Sequence, residues 1–292
     1  MTPDQAPPAT VKLRGDLLAK SVKQAVSEAA AQLSADGLPP KMAVLLASQD
    51  AASVTYAEAK KKGAAALGIN LEIHNLGSET TQPQLIEACR ALSQDPTVHG
   101  ILLELPLAPG LSADAALDEI APAKDIDGLT PYNLGLISAG REEDALTSAT
   151  AQACILLAET QGALAGKRVA LIGRGRTVGR PLMGMLINRH ATLTVCHTRT
   201  RDLKAAIADC DIVIVAIGKP RQITGTQLRP GQIVIDAGIN YLDGKLTGDV
   251  DAASAEGVAA ALTPVPGGVG PLTSALIFQN LIRATLKSRP LP

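Results

Sequence analysis

The stretch that most narrows what this chain can fold into runs from Gly166 to His197, GKRVALIGRGRTVGRPLMGMLINRHATLTVCH. It starts as a short apolar, β-branched run, Arg168 to Ile172, and breaks at a cluster of glycines. About three turns of helix-compatible sequence follow, and a second strand runs from Ala191 to Cys196. This is one strand, helix, strand unit with glycine at its first turn.

Those glycines have distinct tasks if the unit holds a nucleotide. Gly173 permits the tight turn off the strand, Gly175 lets backbone N–H groups approach a pyrophosphate, and Gly179 lets the helix pack close to the sheet. The helix N-terminus then presents unpaired donors to an anion. The spacing is G-x-G-x-x-x-G, one residue longer than the common fingerprint, so the same glycines also suit a plain strand-to-helix turn. Beyond the second strand come His197, Thr198, Arg199, Thr200 and Arg201, with Arg174 in the opposite loop. An unphosphorylated ribose usually meets an acidic residue here and a 2′-phosphate meets arginine, so the expected dinucleotide is NADP, with Asp202 keeping NAD as the alternative.

Upstream of this unit the same alternation recurs. Leu13 to Ala35 reads as an amphipathic helix, Lys41 to Ala47 as a strand, Ser53 to Leu67 as a helix and Asn70 to Leu76 as a strand. Gln82 to Leu92 follows as a helix and Val98 to Glu104 as a strand, a pattern that means a parallel sheet covered by helices. From Leu105 to Asp144 the order loosens into Pro, Gly and Asp clusters of the kind that carry function. After the central unit, Asp211 to Ile217 and Gln232 to Ala237 add strands, and a last helix runs from Leu272 to Lys287. The expected fold is α/β with two domains. Residues 1–150 form the first, joined by the returning C-terminal helix in 272–292, and residues 151–271 form a Rossmann-like dinucleotide-binding domain.

Composition excludes several other classes. The net charge of −1 gives no electrostatic reason to expect nucleic acid or an anionic membrane. With three Tyr, one Phe and no Trp, there are no platforms for stacking bases. Cys89, Cys154, Cys196 and Cys210 lie far apart and form no metal-ligand spacing with the histidines, so no metal site is expected and a reducing, cytoplasmic setting is. No apolar run approaches the roughly 20 residues of a membrane helix.

Three places are suited to chemistry. Tyr56 and Lys60 are four apart on an expected helix and share a face, where a phenol orients a flat substrate and a desolvated amine moves a proton. Equally, Lys60, Lys61 and Lys62 form a charge run of the kind that coats a solvated face. Asp125 and Asp127 in KDIDG make either a turn or a carboxylate facing an amino-pyrimidine edge, and spacing does not choose between them. Thr263 to Pro271, TPVPGGVGP, offers glycine backbone to a ligand or a stiff connection to a helix.

Taken in order, SVTYAEAK, GILLELPL, KDIDGLTPYNLG, GRGRTVGRP, ATLTVCHTRT, VIDAGIN, GDVD and TPVPGGVGPLT resemble the bifunctional methylenetetrahydrofolate dehydrogenase/cyclohydrolase family. The resemblance spans nearly the whole chain. It implies hydride transfer from 5,10-methylenetetrahydrofolate to NADP, followed by hydrolysis of the methenyl cation to 10-formyltetrahydrofolate. It also implies a homodimer. By matching positions, Lys60 is the proton-transfer lysine, Tyr56 its neighbour on the folate and Asp127 the carboxylate on the pterin. Pro266 and Gly267 lie along the folate, while Gly173, Arg174, Gly175, Thr198 and Ile239 hold NADP.

The chain departs from the family pattern at Glu104, where glutamine is usual beside the lysine. A carboxylate there favours the ammonium form, which slows hydrolysis; alternatively Glu104 itself serves as base or steadies the cation. Ser148, Ala149 and Thr150 replace the usual Cys-Thr-Pro, and Gly175 replaces the serine of GRS, removing a hydroxyl from the phosphate loop. Two rival readings remain on this footing: a dehydrogenase-only paralogue with impaired hydrolysis, and a nucleotide-binding sensor without chemistry.

Overall fold

The computed structural model describes residues 9–48 and 51–289. In chain order its strands are β1 (Val11–Lys12), β2 (Lys41–Leu46), β3 (Asn70–Asn75), β4 (Gly100–Leu103), β5 (Arg168–Ile172) and β6 (Thr192–Cys196). There follow β7 (Ile212–Val215), β8 (Ile233–Asp236), β9 (Asn240–Leu242), β10 (Lys245–Thr247) and β11 (Ala261–Leu262). The chain divides into two compact units, one of Thr150–Thr273 with the described residues up to Ala19, the other of Lys20–Ala149 with the described residues from Ser274 onward.

The unit around Thr150–Thr273 holds a six-stranded parallel sheet in the order β1-β11-β8-β7-β5-β6. From β5 the chain winds to β6 on one side and to β7 and β8 on the other, so its direction reverses between β5 and β7. Loops leaving the carboxyl ends of strands part at such a point and leave a crevice. The IVIV of β7 is buried at every position, which is why it reads in sequence as an unbroken apolar run rather than an alternating one. Ala170, Ile172, Val213, Val215, Val234 and Leu262 pack as one core, and each large aliphatic side chain there contributes roughly 1.5–3 kcal/mol of burial free energy. An antiparallel hairpin, β9 with β10, stands outside the sheet.

The unit around Lys20–Ala149 is built on a parallel three-stranded sheet in the order β3-β2-β4. The winding reverses here too, between β2 and β4. Its core includes Leu45, Leu85, Cys89, Ile101 and Leu117. The helix Gln82–Gln94 starts at a capping box of Thr81 and Gln84, and turns Leu85, Cys89 and Leu92 inward. The last helix, Val269–Lys287, returns to this unit, as expected: buried Asn280 donates to the carbonyls of Ile126 at 2.9 Å and Thr147 at 2.8 Å.

One boundary differs from the sequence reading. The sequence places the segment before Asp16 in the first domain, with the helix starting at Leu13, but among the described residues Val11 and Lys12 complete the six-stranded sheet instead. Val11 N–H donates to Ala260 O, Leu13 N–H to Leu262 O and Gly15 N–H to Gly267 O, each at 2.9 Å, so the helix begins only at Asp16. A strand of two residues carries no periodicity, and its partner lies some 250 residues away in sequence. The loose region after Leu105 contains two short helices, Ala113–Leu117 and Pro131–Ser138. Among the described residues, no helix is long and apolar enough to cross a membrane.

Candidate active site

At the carboxyl ends of β2 and β4 three ionisable side chains converge. The helix Ala51–Ala65 follows β2 and carries Tyr56 and, one turn on, Lys60. Glu104 is the first residue after β4, held there by its N–H donating to Leu45 O at 3.0 Å. Lys60 Nζ reaches both carboxylate oxygens of Glu104, at 2.8 and 2.6 Å, with the side chains only 17% and 12% exposed. A pair this far out of water differs from a surface ion pair, because removing one partner strands the other charge.

Asp127 completes the group. The residue as a whole is half-buried, yet its carboxyl is pushed up from 3.8 to about 8, first by desolvation and then by the charges of Asp125 and Glu104, with Lys60 pulling the other way. Near neutrality it therefore holds a proton and can donate as well as accept. Asp125, the other carboxylate of KDIDG, is employed differently. It is buried and accepts from Thr130 N–H at 2.7 Å and Asn133 Nδ2 at 3.0 Å, so it shapes the loop. Asn133 in turn accepts from Leu146 N–H at 3.1 Å. Sequence spacing did not separate the two aspartates, and it missed Asn133 and Asn280; only the Thr130-Pro131 start of a helix was a legible local signal.

The second group of expected residues lies in the other unit. Gly173 ends β5 at φ +117°, and a Cβ there would stand 2.0 Å from Ala216 O, so the position admits glycine alone. A Cβ on Gly179 would come within 2.6 Å of Arg174 Cα, whereas one on Gly175 would meet nothing within 4 Å. The loop is thus packed on its protein side and open where a pyrophosphate would approach, which fits a dinucleotide. Arg174, Gly175, Thr198, Arg199 and Arg201 are exposed, as is Ile239. Asp202, the candidate acid for an unphosphorylated ribose, accepts from Ala205 N–H at 3.0 Å as the cap of the helix Leu203–Ile207. Pro266 and Gly267 sit in this same unit, Gly267 at φ +105° with its carbonyl accepting from Gly15 N–H.

Two carboxylates that sequence reading noticed only within VIDAGIN and GDVD are among the most buried polar groups of the chain: Asp236 and Asp249, 2% and 0% exposed. Asp236 is pushed up to about 6, chiefly by desolvation, against the backbone N–H groups of Val250, Gly238 and Asp249 that it accepts from.

The two reversals of winding, one beside a glycine cradle and one beside a lysine paired with a carboxylate, define the class: an α/β enzyme joining a Rossmann-like NAD(P)-binding unit to a second parallel α/β unit. The tetrahydrofolate dehydrogenase/cyclohydrolase catalytic-domain model matches residues 13–127, and the NAD(P)-binding-domain model of the same family matches residues 148–289. The chain belongs to the tetrahydrofolate dehydrogenase/cyclohydrolase family. The bifunctional protein FolD of Deinococcus radiodurans is 49% identical over 289 residues, covering 97% of this chain and 95% of that protein. The crystal structure of bifunctional FolD, methylenetetrahydrofolate dehydrogenase/cyclohydrolase, from Campylobacter jejuni matches with a TM-score of 0.91 at 35% identity, over 96% of this chain and 99% of that one. That of the Trypanosoma brucei enzyme, complexed with NADP cofactor and inhibitor, matches at 0.90 and 33% identity over the same shares.

Proposed function

We propose that this chain oxidises 5,10-methylenetetrahydrofolate to the 5,10-methenyl cation with NADP and hydrolyses that cation to 10-formyltetrahydrofolate. The observation that carries the reading is the Lys60–Glu104 pair beside Asp127, whose carboxyl is pushed up to about 8, set at the carboxyl ends of two parallel strands in a member of this family. NADP supplies the acceptor for a hydride from the carbon bridging N5 and N10, whose nitrogen lone pair takes over the positive charge. This step asks the protein mainly to hold two rings face to face.

Hydrolysis asks for proton handling. Water oxygen adds to the methenyl carbon and gives up one proton; as its second proton leaves, its electrons form the formyl C=O, the carbon's bond to N5 breaks with its electrons on N5, and N5 takes one of the two protons while the other is released. Lys60 is assigned the proton transfer, with Tyr56 orienting the folate from the same helix face. Asp127, donor and acceptor at once when protonated, matches an amino-pyrimidinone edge, and the backbone of Pro266 and Gly267 lines the folate. Glu104, in the position where glutamine is usual, engages Lys60 through both oxygens, so the lysine has to leave this pair before it can serve hydrolysis, which runs slowly relative to oxidation. Gly173, Arg174, Gly175, Thr198 and Ile239 are assigned to the cofactor. NADP is favoured over NAD because Arg199 and Arg201 are exposed while the Asp202 carboxylate is spent on a helix cap.

The four free, buried cysteines support a reducing, cytoplasmic setting, and family membership supports a homodimer and separate domains near the 150 boundary. The test is a paired assay on one preparation. NADP reduction with methylenetetrahydrofolate and slower methenyl hydrolysis are expected; hydrolysis matching oxidation removes the role given to Glu104, its complete absence favours a dehydrogenase-only paralogue, and no reduction at all leaves a nucleotide sensor.

A further inference from the structure

Every hydrogen-bonding position of one fully buried carboxylate, that of Asp249, is used on the loops around the dinucleotide crevice. Its Oδ2 accepts from Ile217 N–H at 2.7 Å and Gly218 N–H at 2.9 Å. Its Oδ1 accepts from Lys219 N–H at 2.8 Å and from Asn240 Nδ2 at 2.9 Å. Three consecutive amides of the turn that leaves β7 are thereby drawn onto one side chain. The residue before them, Ala216, carries the carbonyl on which Gly173 packs, and Asn240 follows Ile239, which is 50% exposed. Asp249 thus stands between the glycine loop and the only large apolar side chain assigned to the cofactor.

The carboxylate is itself anchored. Asp249 N–H donates to Asp236 Oδ1 at 3.0 Å, and a Cβ on Gly238 would lie 2.3 Å from Asp249 Cγ, so the backbone of the 238–240 segment rests directly on it. Backbone amides, unlike a surface lysine, cannot follow a carboxylate that moves without moving the loop. We propose that Asp249 is a positioning residue for the dinucleotide: it sets the spacing of the 217–219 turn and Ile239 across the crevice without touching the ligand. This rests on the reading that NADP occupies that crevice.

The experiment uses the full-length protein and Asp249→Asn. The amide puts a donor where the carboxylate accepted; a flip of the Asn240 amide restores one pair, but Lys219 N–H is left facing another donor. Kd for NADP, by calorimetry, is expected to rise about tenfold or more, with KM for NADP rising alike and KM for methylenetetrahydrofolate within about twofold, an affinity loss near 1.4 kcal/mol. A Kd within about twofold of wild type overturns the proposal, as does an equal rise in both KM values, the signature of general loosening. Should that variant fail to fold, Asn240→Ala, which removes one half-buried donor, is expected to raise Kd about threefold, and an unchanged Kd overturns the proposal. Wild type failing to bind NADP in the same titration would count against the functional reading itself, before any variant is compared.

Discussion

Asp127 and Asp249 are the same residue type, both drawn out of water, and their surroundings put them to opposite uses. Asp249 is met by three backbone amides and a side-chain amide, so its acceptor positions are taken up by fixed donors and it organises structure. Asp127 finds no such set of donors: desolvation first, and then the charges of Asp125 and Glu104 against that of Lys60, push its carboxyl up to about 8. A carboxylate whose acceptor positions are all taken by fixed amides is architectural; one in which desolvation and neighbouring carboxylates prevail is left able to exchange a proton. Asp125 shows that two positions in sequence suffice to pass from one use to the other, since it accepts from backbone and amide donors as Asp249 does.

The sharpest way to break this contrast is at Lys60. Lys60→Gln should lower methenyl hydrolysis by roughly 10²–10³-fold while NADP reduction stays within about tenfold, followed as methenyl decay and NADPH formation. Equal losses in both reactions would mean that the cluster is architectural as well. Gly173→Ala tests the structural side: a Cβ at positive φ and 2.0 Å from Ala216 O should cost about 3 kcal/mol or more in denaturant unfolding. A variant as stable as wild type would show that the glycine loop is not seated on that carbonyl.

A smaller effect is expected at Glu104. Freeing Lys60 from its carboxylate partner in Glu104→Gln should raise the ratio of hydrolysis to oxidation by about three- to tenfold, and an unchanged ratio would take Glu104 out of the proton path. The smallest concerns pH. Because the folded pKa of Asp127 lies above the ordinary 3.8, the stability associated with its protonated form is complete below about pH 4 and is lost progressively as pH rises to about 8. Asp127→Asn, a neutral mimic, should gain on wild type in Tm over that interval by a few degrees and then hold a constant lead. A Tm difference independent of pH would mean that the carboxyl is ionised throughout.

Much of the fold was legible because its central strands are buried along nearly their whole length. The runs in β5, β7 and β8 needed no partner to be recognised, and the glycine spacing after β5 marked the crevice. β1 and β11 were not legible, since two-residue strands exist only through the parallel partners they find. Within the site, Tyr56 and Lys60 could be paired from helical spacing alone. The contact of Lys60 with Glu104 spans 44 residues, and no local rule reports it.

Residue types and spacing by themselves determined the parallel α/β architecture, the place of a glycine turn after its strand and the motif order that marks the family. Which aspartate is consumed by backbone and which keeps a proton was decided only when distant loops met. The reason is physical: a carboxyl's behaviour depends on the donors and charges within a few ångströms of it, and those arrive from segments that are remote along the chain.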